Sequence, residues 1–295
     1  MHDLRQVLAG QDLIIGDGAF GTLLQARGLP PGMLPEVWNE THPEEVMAIH
    51  RAYVEAGAQY VSTNTFGGSR PRLAEGGLGE RTGAINCLAA ELARQAVDGR
   101  AWVAGSVGPT GRLMEPFGDL SIAEAEEVFG EQVEGLLAGG VDLLVIETHH
   151  DLEEAGAALR MARERTDLPI FCTFAFNPKG RTMMGVRAAQ AARRMQELGA
   201  DAVGANCGDG PAAIAAALEQ MRDATTLPLV AKSNAGMPQL GPDGAALWDV
   251  MPEQLAEHAR AFVALGARII GGCCGSSPAY IAAIAAACGR AEEVG

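Results

Sequence analysis

Two adjacent cysteines framed by glycines, Gly271-Gly272-Cys273-Cys274-Gly275, lie near the C-terminus, and a third cysteine stands upstream in Asn206-Cys207-Gly208. Three thiolates converging on one point would make a soft-ligand site for Zn2+ with a fourth position open, and an open zinc position does chemistry rather than scaffolding. A substrate thiol entering that position would lose its proton near neutral pH, and the thiolate is the form that attacks carbon. Adjacent cysteines can share one metal only where the backbone turns sharply, a freedom that the flanking glycines supply. Spacing alone leaves two other readings open, because the usual C-x-x-C signal is absent: two buried free cysteines at a strand end, or a vicinal disulfide.

Other residues could join such a site. Asp17, in Asp17-Gly18-Ala19-Phe20-Gly21-Thr22, and Glu147, in Ile146-Glu147-Thr148, are carboxylates that could bind a substrate ammonium, while turn N–H groups at Gly18 and Ala19 could hold a carboxylate. Together they suggest an amino-acid substrate; the plainer reading of either acid is a helix cap or a buried salt bridge. His149-His150 could ligate metal but more often such histidines hydrogen-bond within a loop. The remaining cysteines, Cys87, Cys172 and Cys288, have no glycine framing and read as core fillers, and Met183-Met184 as core or rim. The Gly-rich run 105–111 lacks the Gly-Lys-Ser/Thr ending of a phosphate loop.

These residues need elements to position them. Short aliphatic runs recur at 13–16, 60–63, 102–105, 143–146, 170–173, 202–204, 229–231 and 268–270. Helix-length segments follow them, among them 43–57, 82–97, 122–138, 152–165, 188–198, 212–222, 252–265 and 278–287. Several open on Pro or a capping residue and close near Gly. Eight β-then-α units in 295 residues match a closed (β/α)₈ TIM barrel better than an open doubly wound sheet. No linker-like stretch divides the chain, so residues 1–295 are expected to form one domain. In a barrel, Asp17, Thr63, Asn64, Gly108, Glu147, Cys207, Asn234, Cys273 and Cys274 all fall at the C-terminal ends of strands, the rim where barrel enzymes build their sites.

Composition narrows the partners. With 22 Lys plus Arg against 37 Asp plus Glu, the formal charge is −15, which repels nucleic acid and anionic membrane surfaces. A small-molecule partner is expected. The start Met1-His2-Asp3-Leu4-Arg5 lacks a signal-peptide pattern and no run is long and apolar enough to span a bilayer, so a cytoplasmic location is expected. Six cysteines are too few for a disulfide framework.

On these motifs the chain resembles the homocysteine S-methyltransferase family, whose zinc domains occur in cobalamin-dependent methionine synthase and in betaine–homocysteine methyltransferase. The likeness rests on 17–22, Thr63-Asn-Thr-Phe-Gly67, Gly105-Ser-Val-Gly-Pro-Thr-Gly111, Glu147-Thr148, Gly204-Ala-Asn-Cys207 and Gly271-Gly-Cys-Cys-Gly275, from about Leu13 to Cys288. It implies the same barrel, with Cys207, Cys273 and Cys274 as zinc ligands. Asp17, Gly18, Ala19 and Glu147 would hold the amino-acid group of homocysteine, and Asn234 would occupy zinc's open position before substrate arrives. The implied reaction is methyl transfer to the zinc-bound thiolate, giving methionine. The donor would be betaine or a related onium compound, or a methylcorrinoid supplied in trans by a separate corrinoid protein; alternatively the chain is a homocysteine-binding subunit productive only when docked to such a protein. Short bacterial betaine-dependent enzymes are similar over 35–43, 181–185 and 267–271. An onium donor wants an aromatic cage. Where the animal betaine enzymes carry a tyrosine this chain has Gly67, which leaves Trp38 and Phe66 as candidates.

Overall fold

The computed structural model describes residues 3–240 and 246–289. Eight parallel strands run β1 Ile14–Ile15, β2 Tyr60–Ser62, β3 Trp102–Val107, β4 Leu143–His149, β5 Ile170–Phe174, β6 Ala202–Cys207, β7 Leu229–Ser233 and β8 Ala267–Gly272. Each of β2 to β8 hydrogen-bonds its sequence neighbour, and β8 pairs with β1. A parallel bridge between Gly16 and Tyr60 joins β1 to β2 and completes the TIM barrel that the βα rhythm predicts.

Alternation along each strand sorts the side chains. Ile14, Tyr60, Trp102, Ala104, Leu143, Val145, Phe171, Ala202, Val230 and Ile269 form one buried apolar cluster, the filling of the barrel. Their alternate neighbours, such as Ile15, Val61, Val103, Leu144, Cys172 and Val203, pack outward against the helices. The N-terminal helix Leu4–Ala9, which the strand pattern alone does not anticipate, adds Leu4 to the inner cluster, with Val7 and Leu8 against it. Outside the strands lie long helices such as Pro43–Glu55, Thr82–Val97, Ile122–Ala138 and Leu152–Arg165. Asp151 caps the last of these, its carboxylate accepting from the N–H groups of Glu153 and Glu154.

The expected strands begin within a residue of the observed ones; those at 13–16 and 60–63 overrun by one residue at the C-terminal end, and the other six stop short. Strands read as ending at Ile146, Gly204, Ala231 and Ile270 continue to His149, Cys207, Ser233 and Gly272. The aliphatic run ends where the interior turns polar, yet the backbone ladder continues, because hydrogen bonding between strands does not depend on side-chain polarity. A two-stranded antiparallel ribbon, Gln239–Leu240 with Ala246–Leu247, lies between β7 and the helix Pro252–Ala264 and was not anticipated. Among the described residues, no helix is long and apolar enough to cross a membrane.

Close strand approach sets one sharp requirement. A Cβ at Gly204 would lie 2.0 Å from the Val230 carbonyl oxygen on the adjacent strand. Gly204→Ala should therefore destabilise the protein by about 1–3 kcal/mol or more. Gly83→Ala, in open space on the helix Thr82–Val97, should be neutral or stabilise by up to about 1 kcal/mol. Urea unfolding midpoints of the two variants check both.

Candidate active site

Where the apolar filling ends, the strands place a polar layer. Continuing the same period-two phase from the apolar cluster brings in Ser62 on β2, Ser106 on β3, Glu147 on β4, Thr173 on β5, Asn206 on β6 and Lys232 on β7, all buried. Buried polar groups must find partners among themselves. Glu147 accepts a 2.6 Å hydrogen bond from the Ser106 hydroxyl. Asn206 ties three elements together: its carbonyl accepts from the Thr148 N–H at 2.9 Å and the Thr173 hydroxyl at 2.8 Å, and its amide donates to Thr148 Oγ1 at 2.7 Å. The same amide lies 3.8 Å from Cys273 Sγ.

The thiols converge just above this layer. The ligand atoms of Cys207, Cys273 and Cys274 all lie within 4.8 Å of one another, and Cys207 Sγ is 3.8 Å from Cys274 Sγ. The strand phase would send Cys207 outward; its left-handed backbone, φ 58°, breaks that phase at the end of β6. Cys273 is anchored by its N–H, which donates to Ser233 O at 2.7 Å, and the chain turns after Cys274 at Gly275, φ 79°, where a Cβ would strike the Trp248 ring. The hydrogen bond from Cys273 favours the Cys207 thiolate, but its bond to Cys274, burial and the nearby sulfur outweigh that and push its pKa up to about 12. The Cys273 thiol is pushed up by its hydrogen bond with Cys207, against the one with Cys274, and burial and nearby charge add to the rise; at Cys274 the hydrogen bond with Cys207 pulls down, but the one with Cys273, the adjacent sulfur and burial outweigh it. Without an ion, such crowded sulfurs stay protonated. Three thiols this close fit a tetrahedral zinc, where Zn–S bonds of about 2.3 Å put sulfurs roughly 3.8 Å apart.

The carboxylates fare differently. Asp17 is fully buried: Oδ2 accepts from the Ser62 N–H at 2.6 Å, and Oδ1 accepts from the Ser62 hydroxyl at 3.2 Å and from Lys232 Nζ at 2.7 Å. It does not line the cavity in front of the cysteines, whereas Glu147, Lys232 and Gly18 do. The Ala19 N–H is already spent on Ser276 O, at 2.9 Å. Thus the plainer alternative for Asp17, a buried salt bridge, is the contact found in the structure. Asn234 is buried; its amide donates to Gly208 O at 3.0 Å and its Oδ1 has no partner among the described residues.

The cavity holds about 450 Å³ and runs from Cys207, Cys273 and Cys274 past Glu147 and Ser106 to an outer end lined by Phe20, Glu36, Phe66 and Arg72. Phe66 is 45% exposed there. Trp38 is buried and stacked on His42, with ring centroids 4.3 Å apart, so it forms no cage wall. His149 is fully buried beside Glu154, 3.7 Å from its carboxylate, and neither it nor His150 joins the thiol cluster. Of the other cysteines Cys172 is core, while Cys87 and Cys288 are only partly buried; Met183 and Met184 are exposed and fill no core. Lys232, Asn206, Ser62 and Ser106 belong to no motif that the sequence singles out; the signal for them is the period-two phase continued toward the C-terminal ends of the strands from Val230, Ala202, Tyr60 and Ala104.

Comparison with known proteins points to one family. The homocysteine S-methyltransferase family profile matches residues 14–288. The chain is 34% identical to methionine synthase of Mycobacterium tuberculosis over 97% of its length, but covers 25% of that protein, so it spans about a quarter of the methionine synthases it matches. It is 32% identical to betaine–homocysteine S-methyltransferase 1 of Rattus norvegicus, covering 96% of this chain and 73% of that one. The metallated crystal structure of the homocysteine methyltransferase MmuM from Escherichia coli superposes with a TM-score of 0.80 at 29% identity, over 97% of this chain and 99% of the other.

Asn206 is the brace between the strained turn at Thr148, φ 64°, and the thiol cluster. Asn206→Ala leaves buried donors on Thr148 and Thr173 unpaired and should cost about 1–3 kcal/mol for each such group. Chemical denaturation of the metal-free protein tests this.

Proposed function

The chain belongs to the homocysteine S-methyltransferase family, and from that premise we propose that it methylates homocysteine to methionine at a zinc site held by Cys207, Cys273 and Cys274. One observation carries the reading: three thiols converge at the wall of a cavity that a buried, oriented carboxylate also lines. Asn234 Oδ1, buried and without a partner among the described residues, is the oxygen proposed to yield the fourth position to substrate. Bound zinc would supply one thing, a lowered pKa for a thiol in that position, so that the acceptor is a thiolate at neutral pH.

The chain's own residues do the rest by placement. Glu147, fixed by Ser106, takes the substrate ammonium and orients the acceptor with its sulfur toward the cysteines. The acceptor sulfur then attacks the methyl carbon in line. A carbon–sulfur bond forms as the bond from methyl to the donor's heteroatom breaks, and the electron pair leaves on that heteroatom. No proton moves on the methyl group, so rate comes from orientation and from the thiolate. At the outer end of the cavity the exposed Phe66 ring, with Phe20 and the Glu36 carboxylate, favours a small onium donor of the betaine type.

Three measurements test the reading. Zinc uptake by metal-free protein at pH 7 should release about three protons, because the raised thiol pKa values leave all three sulfurs protonated and each ligand must lose its proton to bind. Cys207→Ser should lose bound zinc and activity together; a variant keeping both would refute the ligand set. A donor panel of betaine, S-methylmethionine and methylcobalamin, with homocysteine as acceptor, should give methionine from an onium compound with the isolated chain. Turnover only with methylcobalamin on an added corrinoid protein would instead identify a subunit that works docked.

A further inference from the structure

The turn that carries two of the three thiols is held unevenly. The Ser276 N–H donates to Cys273 O at 3.0 Å and closes a β-turn over 273–276, in which Gly275 takes the third place with φ 79°, the sign that a type II turn needs there. The Cys273 half is pinned by hydrogen bonds: its N–H donates to Ser233 O at 2.7 Å, and its carbonyl also accepts from the Ser276 hydroxyl at 2.6 Å. The Cys274 half has less. Among the described residues its backbone makes one hydrogen bond, in which Cys274 O accepts from the Ala235 N–H at 2.9 Å. The rest of its support is packing. The Trp248 indole lies so close against Gly275 that a Cβ there would be 2.2 Å from Cδ2 and 2.5 Å from Cε2 and Cγ.

Trp248 comes from the excursion between β7 and the helix Pro252–Ala264, directly after the ribbon strand Ala246–Leu247. The base of this excursion is tied to the cysteine turn. The Val250 N–H donates to Ala235 O at 3.1 Å, so Ala235 bonds the Cys274 carbonyl with its N–H and the excursion with its own carbonyl. The Tyr280 hydroxyl, on the helix Pro278–Ala287 that follows the turn, donates to Val250 O at 2.8 Å, and Asp249 Oδ1 accepts from the Met237 N–H at 3.1 Å. These bonds fix the partly buried indole relative to the turn it covers. Cys207, Cys273 and Cys274 line the cavity, whereas Gly275 and Trp248 do not. The indole thus lies behind the turn, where it acts on the thiols and not on a substrate.

We propose that Trp248 is a positioning residue for the metal ligands: by filling the space beside Gly275 it keeps the turn in the form that holds the Cys274 sulfur 3.8 Å from that of Cys207, and so sets how firmly the triad retains an ion. This rests on the three cysteines being the ligand set. Cys273, with its own hydrogen bonds, needs no such support. Cys274 does, because the glycine after it gives the backbone freedom to swing. Groups that orient ligands without touching the metal typically carry roughly ten- to hundredfold in metal affinity.

Transfer of zinc from the loaded full chain to a chromogenic chelator at pH 7 tests this. Trp248→Ala should speed release about tenfold or more. Trp248→Leu, which keeps more apolar bulk and guards against loss of the fold, should also speed it, while Trp248→Phe, which keeps a ring on Gly275, should restore most of the retention. Leu247→Ala, at an exposed neighbour on the same ribbon, should leave the rate unchanged. Gly275→Ala should speed release as well, and because the clash of its Cβ with the indole vanishes when the ring is gone, its effect should be smaller in the Trp248→Ala background than alone. Release at the wild-type rate from both truncations, equal acceleration by Leu247→Ala, or additive effects of the Gly275 and Trp248 changes would overturn the assignment while leaving the ligand set intact. A wild type that takes up no zinc would overturn the ligand set and this inference together.

Discussion

A strand in a closed barrel can send only every second side chain inward, and the inward set in this chain changes character at one level. Below it the barrel is filled by Ile14, Trp102, Leu143, Phe171, Val230 and Ile269; at it stand Ser62, Ser106, Glu147, Thr173, Asn206 and Lys232. An apolar filling needs nothing but volume. A polar layer resting on it must satisfy every donor and acceptor from within, because neither the filling below nor the helices outside can do so. The hydrogen bonds from Ser106 to Glu147, from Ser62 and Lys232 to Asp17, and between Asn206, Thr148 and Thr173 are that satisfaction.

The same layer is the floor on which the thiols are set. Two residues depart from ordinary backbone just above it, Thr148 and Cys207, both left-handed though neither is glycine. Such conformations cost energy and persist where surroundings over-determine them. Here the brace is Asn206, which holds Thr148 by two hydrogen bonds and precedes Cys207 directly. The strain at Cys207 turns a sulfur that the strand phase would point outward toward the pair on the neighbouring end of β8. Convergence of three thiols is thus a product of the polar layer, and not of the glycines around Cys273 and Cys274 alone.

Charge is managed at the same level. Three thiols that had released their protons on binding a metal would, with Glu147 and Asp17, concentrate negative charge at this level, and Lys232 is the basic residue that the inner end of the cavity contains. Pairing it with Asp17 satisfies two buried charges that would each be costly alone. It also leaves the cavity facing a lysine and a glutamate rather than two acids, which changes what the pocket can recognise.

The eight βα units and the thiol triad were legible in the chain, because aliphatic runs, helix signals and glycine-framed cysteines are local patterns. The motifs at 17–22, 147–148 and 271–275 carried the family likeness for the same reason. The partner of Asp17 was not legible: it lies 215 positions away, and the two meet only because β8 pairs with β1 on one side and β7 on the other. Nor was it legible that Trp38 packs inside while Phe66 faces the cavity, since both are single aromatics in polar surroundings. Sequence determined which groups were available at the rim; barrel closure and strand register decided which of them face one another, because a contact between distant strands exists only once every strand between them has been placed.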